Sequence, residues 1–299
     1  MKSFYILGGS GFMGGLFIDY LKAKGHTVYS DKIAIEDLNA LRTAFTEKKP
    51  DVVVNFAGVR AQPHIDWCED HKEETTLVNV AGSINVMIAA MEVGAYPIQI
   101  ASGCIYDSGV EKACTEEDTP NFTGSYYSRM RIAQQIAMQE LPLLYARIRM
   151  PLCAFPHPRN FITKIAGYEK VINIPNSMTL LEDLFVALED LSTREEKVYG
   201  ILNLTNDGWV DHKTVLDAYK NIVKPDHTYI QISLEELQGP GGITKAKRSN
   251  CILSSKKAES LGLSFPALTP ERMNKVMEIY KKYEEGAMDL MTSIEELTK

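Results

Sequence analysis

Three side chains, a serine, a tyrosine and an arginine, stand at spacings that suit chemistry on a carbonyl group. Ser102 and Cys104 lie in Ala101-Ser102-Gly103-Cys104-Ile105-Tyr106, where a run of strand-forming residues ends. Tyr127 and Arg131 follow in Tyr126-Tyr127-Ser128-Arg129-Met130-Arg131, which leads a helical pattern. Residues four apart share a helix face, so the guanidinium can stand beside the phenol and favour its ionised form. Tyr127 can then donate a proton to an oxyanion, Ser102 can hydrogen-bond the same oxygen, and a nicotinamide can deliver hydride to the carbonyl carbon. By spacing alone, Tyr127 and Arg131 are more often a solvated helix face. A glycine loop far upstream turns the reading towards catalysis.

That loop is Gly8-Gly9-Ser10-Gly11-Phe12-Met13-Gly14-Gly15, directly after the first strand-like run. Gly8, Gly11 and Gly14, with Phe12 and Met13 between them, open a helix whose exposed N–H groups can hold a pyrophosphate. The second strand-like run ends Tyr29-Ser30-Asp31-Lys32. Asp31 suits the ribose 2′-OH of NAD, whereas Ser30 and Lys32 suit the 2′-phosphate of NADP, so the expected cofactor is NADH or NADPH with the choice open. A third run enters Asn55-Phe56-Ala57-Gly58, small residues that let backbone pass close to a cofactor or simply make a turn. No histidine set has metal-ligand spacing, and no metal is expected.

The elements that must position these groups alternate. Strand-like runs at Ser3–Leu7, Thr27–Ser30, Asp51–Ala57, Pro97–Ser102 and Leu144–Met150 are separated by amphipathic segments, including Phe12–Gly25 and Glu36–Lys49. This predicts an α/β fold, a Rossmann-type doubly wound parallel sheet. After Pro151 the pattern loosens, a further strand-like run falls at Tyr199–Thr205, and a long final helix starts near Pro270. The chain of 299 residues therefore divides into a dinucleotide-binding domain at 1–150, its sheet completed by about 198–206, and a smaller substrate-binding lobe at 151–299.

Thirty-two Lys and Arg against 39 Asp and Glu give a net charge of −7, which repels nucleic acid and anionic membrane. Five widely spaced cysteines without a C-x-x-C pair read as reduced thiols, and no apolar run reaches membrane-spanning length. A cytoplasmic protein is expected.

Glycine loop, strand-end serine and tyrosine–cation pair together resemble the extended short-chain dehydrogenases/reductases. Longer stretches resemble one branch: Asp66-Trp67-Cys68-Glu69, Ser102-Gly103-Cys104-Ile105, Glu117 to Ser125, Arg147 to Pro151, Pro158 to Ile165 and Asn173 to Thr179 are similar to the bifunctional nucleotide-rhamnose epimerase-reductases. The resemblance implies a UDP- or dTDP-linked 4-keto-6-deoxyglucose, converted by 3,5-epimerisation and 4-reduction to nucleotide-linked L-rhamnose. It further implies Cys104 as base and Lys164 as acid. An ordinary thiol is mostly protonated at neutral pH, so such a base needs cations nearby, for which Arg131 and Lys164 are candidates. Substrate contacts are expected from Ser102, Gly103, Cys104, Asn121, Thr123, Arg159, Asn160, Lys164, Asn176, Ser177 and Arg248. One departure stands out: the family carries lysine where this chain has Arg131, and arginine is planar and keeps its proton. Two alternatives remain, a 4-reductase alone with a structural Cys104, and a non-catalytic dinucleotide-binding regulatory subunit. Homodimerisation is left open.

Overall fold

The computed structural model describes residues 1–59 and 64–298. Its contacts gather into two compact units that the chain enters alternately. The first holds Met1–Ile105, Pro120–Arg147 and Ala187–Leu202; the second holds Tyr106–Thr119, Ile148–Val186 and Asn203–Lys299. Of the 1–150 segment, residues 106–119 and 148–150 fall in the second unit, and the chain returns to the first at 187–202, overlapping the 198–206 stretch expected to complete the sheet.

The six-stranded sheet behind the first unit comprises β1 (Ser3–Leu7), β2 (Thr27–Tyr29), β3 (Val52–Asn55), β4 (Tyr96–Ser102), β5 (Leu144–Ile148) and β6 (Gly200–Asn203), ordered β6-β5-β4-β3-β1-β2. β1 pairs in parallel with β2 and β3, and β3 with β4. Their register sets Leu7 level with Asn55 and Asn55 level with Gln99, so the carboxyl ends of these strands open together. All of β3 and β4 is buried, as a sheet covered on both faces requires. Helices α1 (Phe12–Ala23), α2 (Leu38–Lys48), α3 (Ser83–Glu92) and α4 (Tyr126–Met138) supply the cover. Tyr5, Val53, Val86, Met87, Met138 and Tyr145 belong to one apolar cluster there.

Local chemistry sets the boundaries. α2 starts two residues later than its periodicity suggests, because the Asp37 carboxylate caps it by accepting the Ala40 N–H at 2.9 Å. It ends where Lys49 turns left-handed, φ 46°, before Pro50, which disfavours helix in the residue preceding it. The strand expected through Met150 stops at Ile148: Met150 is left-handed at φ 41° and Pro151 has no N–H to give.

In the second unit, Leu152, Ile162, Leu180, Leu216, Met277 and Tyr280 share a core. Its helices include α5 (Phe161–Ala166), α7 (His212–Ile222), α8 (Pro270–Glu284) and α9 (Leu290–Thr298), while α6 (Leu181–Thr193) begins here and ends in the first unit. The expected long final helix is two helices, divided where Gly286 adopts φ +70°. Among the described residues no helix is long and apolar enough to cross a membrane.

Two adjacent carboxylates are buried at the start of α6. Asp183 meets Arg272 at 2.7 Å. Glu182 instead accepts from the Ala154 N–H at 2.9 Å and the Ser293 hydroxyl at 3.1 Å, and its Oε2 has no partner among the described residues. Burial, with Asp183 adding repulsion, pushes the Glu182 pKa from 4.5 up to about 7. Between those two values the native chain holds more protons than the unfolded one, so stability falls as pH rises through that window and levels off above it. The loss is on the order of 3 kcal/mol. Tm measured across the window should fall in the wild type, and Glu182→Gln should remove most of the slope. Equal slopes in both proteins would place the titration elsewhere.

Candidate active site

The glycine loop folds as a cradle. Gly8 sits at φ +74°, and a Cβ there would stand 2.6 Å from the Ala57 backbone nitrogen, so this crossing of the β1 and β3 ends admits glycine alone. The Gly11 N–H returns to the Gly8 carbonyl at 2.9 Å. Gly11 also caps α1 without a side-chain cap bond, and a helix start of this kind suits an anion. Phe12 is buried and Met13 and Gly14 continue that turn. Opposite, Asn55 is fully buried and shapes the β3 exit: its Oδ1 accepts the Ala57 N–H and its Nδ2 donates to Gln99, both at 2.9 Å. Asn55 thus acts through the turn that carries Ala57 and Gly58. At the β2 exit, exposed Asp31 accepts the Tyr5 hydroxyl at 2.7 Å and Lys32 is exposed beside it. These residues fit a dinucleotide. Gly8→Ala should weaken NADPH binding at least about tenfold, a loss of about 1.4 kcal/mol, as read by quenching of NADPH fluorescence; unchanged affinity would remove the cradle from cofactor binding.

The reactive groups gather at the end of β4. Ser102 Oγ accepts the Cys104 N–H at 3.1 Å, which leaves its own proton to donate. Cys104 is half-buried. Its carbonyl accepts the Ser128 hydroxyl at 2.6 Å, and Ser125 caps α4 by accepting the Ser128 N–H at 3.1 Å while donating to Ser128 Oγ at 2.8 Å. This serine relay fixes the first turn of α4 against the strand end. Glu69 adds a second tie: its carboxylate accepts the Tyr126 N–H at 2.5 Å and lies 3.7 Å from the Arg129 guanidinium.

Tyr127 and Arg131 are buried together, the guanidinium carbon 5.2 Å from the centre of the phenol ring. Arg131 Nη2 packs on Gly58, where a Cβ would stand 2.9 Å away. Its Nη1 donates to Gln134 Oε1 at 3.1 Å. Burial opposes the charge most strongly, but the Tyr127 and Tyr145 hydroxyls and the Cys104 thiol outweigh it and hold the guanidinium above its ordinary pKa. Asn79, in the π-helical turn Leu77–Gly82, accepts the Val59 N–H at 2.7 Å and donates to the Val59 carbonyl at 2.6 Å. Ser102, Cys104, Tyr127, Arg131 and Gly58 are thus brought together in the first unit. Sequence reading missed Ser125, Ser128, Asn79 and Gln134 and gave Glu69 no role; of these, only Ser125-x-x-Ser128 carries a local signal, that of a capped helix.

The expected substrate residues divide. Gly103 is buried; Asn121 and Thr123 are exposed before α4, with the Thr123 carbonyl accepting from Arg129 at 2.8 Å. Arg159 is exposed and Lys164 half-buried on α5 of the second unit. Arg248 is half-buried, its Nη1 donating to the Ala246 carbonyl at 2.9 Å. Asn160, Asn176 and Ser177 are buried among partners of their own chain. Asn160 is fully buried; its Oδ1 accepts from the Cys153 and Ile162 N–H groups, and its Nδ2 donates to the Cys153 and Phe155 carbonyls. Asn176 ties Arg149, Ile174, Asn250 and Cys251. Ser177 accepts the Leu253 N–H at 2.8 Å and donates to the Gly208 carbonyl at 3.2 Å.

A parallel sheet, a glycine cradle and a Ser–Tyr–Arg cluster at the strand ends define a nicotinamide-dependent class, and residues 4–150 match the NAD dependent epimerase/dehydratase family. The chain is 38% identical over 274 residues to the bifunctional dTDP-4-dehydrorhamnose 3,5-epimerase/dTDP-4-dehydrorhamnose reductase of Arabidopsis thaliana, covering 89% of this chain and 88% of that one. It is 37% identical to an Arabidopsis trifunctional UDP-glucose 4,6-dehydratase/UDP-4-keto-6-deoxy-D-glucose 3,5-epimerase/UDP-4-keto-L-rhamnose-reductase, of whose length it spans 40%. The crystal structure of the UDP-rhamnose synthase of Acanthamoeba polyphaga mimivirus matches with a TM-score of 0.87 at 30% identity, over 93% of this chain and 99% of that one. The chain belongs to the bifunctional nucleotide-rhamnose epimerase-reductases, within the extended short-chain dehydrogenases/reductases.

Proposed function

We propose that this enzyme converts a UDP- or dTDP-linked 4-keto-6-deoxyglucose to the corresponding nucleotide-linked L-rhamnose in the cytoplasm, with NADH or NADPH as reductant. The observation that carries this reading is the cluster at the β4 end, where a serine with a proton to give, a cysteine and a tyrosine–guanidinium pair stand beside a dinucleotide cradle.

The C4 ketone acidifies the protons on C3 and C5. Cys104 removes each in turn, Ser102 and Tyr127 hydrogen-bond the enolate oxygen, and Lys164 returns a proton to the opposite face. Reduction destroys the ketone, so epimerisation comes first. Bound NADH or NADPH supplies the hydride that C4 then receives. Tyr127 gives its proton to the C4 oxygen, Ser102 holds that oxygen, and Arg131 stabilises the charge left on the phenol. The first unit takes the dinucleotide. The second, with Arg159, Lys164 and Arg248, takes the nucleotide sugar, because guanidinium forks suit a diphosphate; Asn121 and Thr123 contribute from the loop before α4.

Incubation with UDP-4-keto-6-deoxyglucose in deuterated water, with and without NADPH, tests this by NMR. Deuterium at C3 and C5 without reductant, and nucleotide-linked rhamnose with it, are expected. Rhamnose formation only from a ketone already epimerised would leave a 4-reductase. Parallel arms with NADH and the dTDP sugar fix the reductant and the base, and inactivity in all arms despite dinucleotide binding would leave a regulatory subunit.

A further inference from the structure

We infer that Gln134 is a positioning residue for the reduction step: its neutral amide fixes the Arg131 guanidinium beside Tyr127 without neutralising it. The inference rests on the reading of Arg131 given above.

A guanidinium is planar and donates in its own plane, so its orientation depends on where its acceptors lie. An ammonium is a point charge and needs no such direction. In this chain the acceptor is Gln134 Oε1, one turn along α4 from Arg131 and fully buried. The amide is itself held by two other segments. Its Oε1 also accepts the Tyr145 hydroxyl from β5 at 3.0 Å, and its Nε2 donates to the Asn79 carbonyl of the π-helical turn at 2.6 Å. Arg131 Nη1 can only donate and the Asn79 carbonyl can only accept, so the reversed amide would face like against like at both of these contacts. Orientation is therefore dictated by three elements converging on one side chain.

With Nη1 engaged by Gln134 and Nη2 on Gly58, the guanidinium plane is set at the β3 exit, and Nε is left with no partner among the described residues. Two features explain an amide at this place. Leucine would fill the volume and bond nothing. Glutamate would bond Nη1 but form an ion pair, reducing the positive potential at the Tyr127 ring 5.2 Å away, and would set a carboxylate against the Asn79 carbonyl. Glutamine alone among the three anchors the cation and leaves its charge for the phenol.

A double-mutant cycle tests this with Gln134→Leu, Gln134→Asn, Gln134→Glu and Arg131→Lys, alone and combined. The readouts are NADPH affinity by fluorescence, and kcat and KM for an already epimerised UDP-4-ketone. In the wild-type background Gln134→Leu should lower kcat about tenfold, which is about 1.4 kcal/mol, and weaken NADPH several-fold. The loss should fall on kcat more than on KM, because the guanidinium beside Tyr127 matters most as charge develops in the reduction step. Gln134→Glu should lower kcat too, although the protein keeps a bonded Arg131. Combined with Arg131→Lys, Gln134→Leu should change kcat and NADPH affinity less than about twofold. Gln134→Asn keeps the polarity one methylene short and serves if the leucine variant does not fold. Equal fold-losses in both backgrounds, or lowered Tm with kcat and NADPH affinity unmoved, would overturn the inference. The NADPH arm needs no turnover, so it decides the Gln134–Arg131 coupling even where no 4-ketone is reduced, an outcome that would strike the functional reading instead.

Discussion

Replacing Tyr127 by phenylalanine is expected to lower reduction of the 4-ketone by about 10²–10⁴-fold, the usual worth of a positioned general acid. The loss should fall equally on kcat and kcat/KM, because the missing proton matters only as negative charge develops on the C4 oxygen. The fold should survive. The ring remains to fill its buried place on α4, and the serine relay that fixes the first turn runs through Ser125, Ser128 and the Cys104 carbonyl, none of which involves the phenol. Exchange of deuterium into C3 and C5 should persist at a reduced rate, since Ser102 still has a proton to give to the enolate. Product analysis by NMR separates the two reactions in one tube. Unchanged reduction would remove Tyr127 from the mechanism.

Cys104→Ala is expected to do the reverse. Exchange at C3 and C5 should fall by about 10²–10⁴-fold, whereas an already epimerised ketone should still be reduced within a few-fold of the wild-type rate. The geometry favours so clean a division. The N–H bond of residue 104 to Ser102 and its carbonyl bond to Ser128 are backbone bonds that alanine keeps. Loss of the thiol therefore leaves the Ser102 acceptor and the α4 tether in place. Equal loss of both activities would show that the side chain shapes the site instead of abstracting protons.

What the sequence displays and what it hides follow from how far apart the interacting residues are. The β1–α1 glycine loop, the capped start of α4 and the alternation of strands and helices arise within a few residues, and periodicity reports them directly. Ser102, Tyr127 and Arg131 were readable because each lies at the end or the first turns of an element whose direction the α/β pattern fixes. Gln134 was not: its bond to Asn79 spans 55 residues, and nothing beside it distinguishes it from Gln135. The partners of Asn176 are hidden in the same way: it bonds Arg149 across 27 residues, Asn250 across 74 and Cys251 across 75, and no local pattern reports them. The return of the chain to the first unit was legible at the strand near 198–206 but not at residue 187, because residues 187–193 continue a helix begun in the second unit.

That interleaving bears on how the protein is made. β6 lies outside β5 in the sheet, yet residues 148–186, which belong to the second unit, are synthesised between them. A nascent chain that has reached residue 150 holds the glycine cradle and the Tyr127 helix but leaves the outer side of β5 as a row of unpaired N–H and C=O groups. At about 5–20 residues per second the edge stays open for several seconds of synthesis, long enough to pair with another chain. A C-terminal deletion that stops short of β6 should consequently yield aggregate, even though it keeps the glycine cradle and the other residues proposed to bind the dinucleotide.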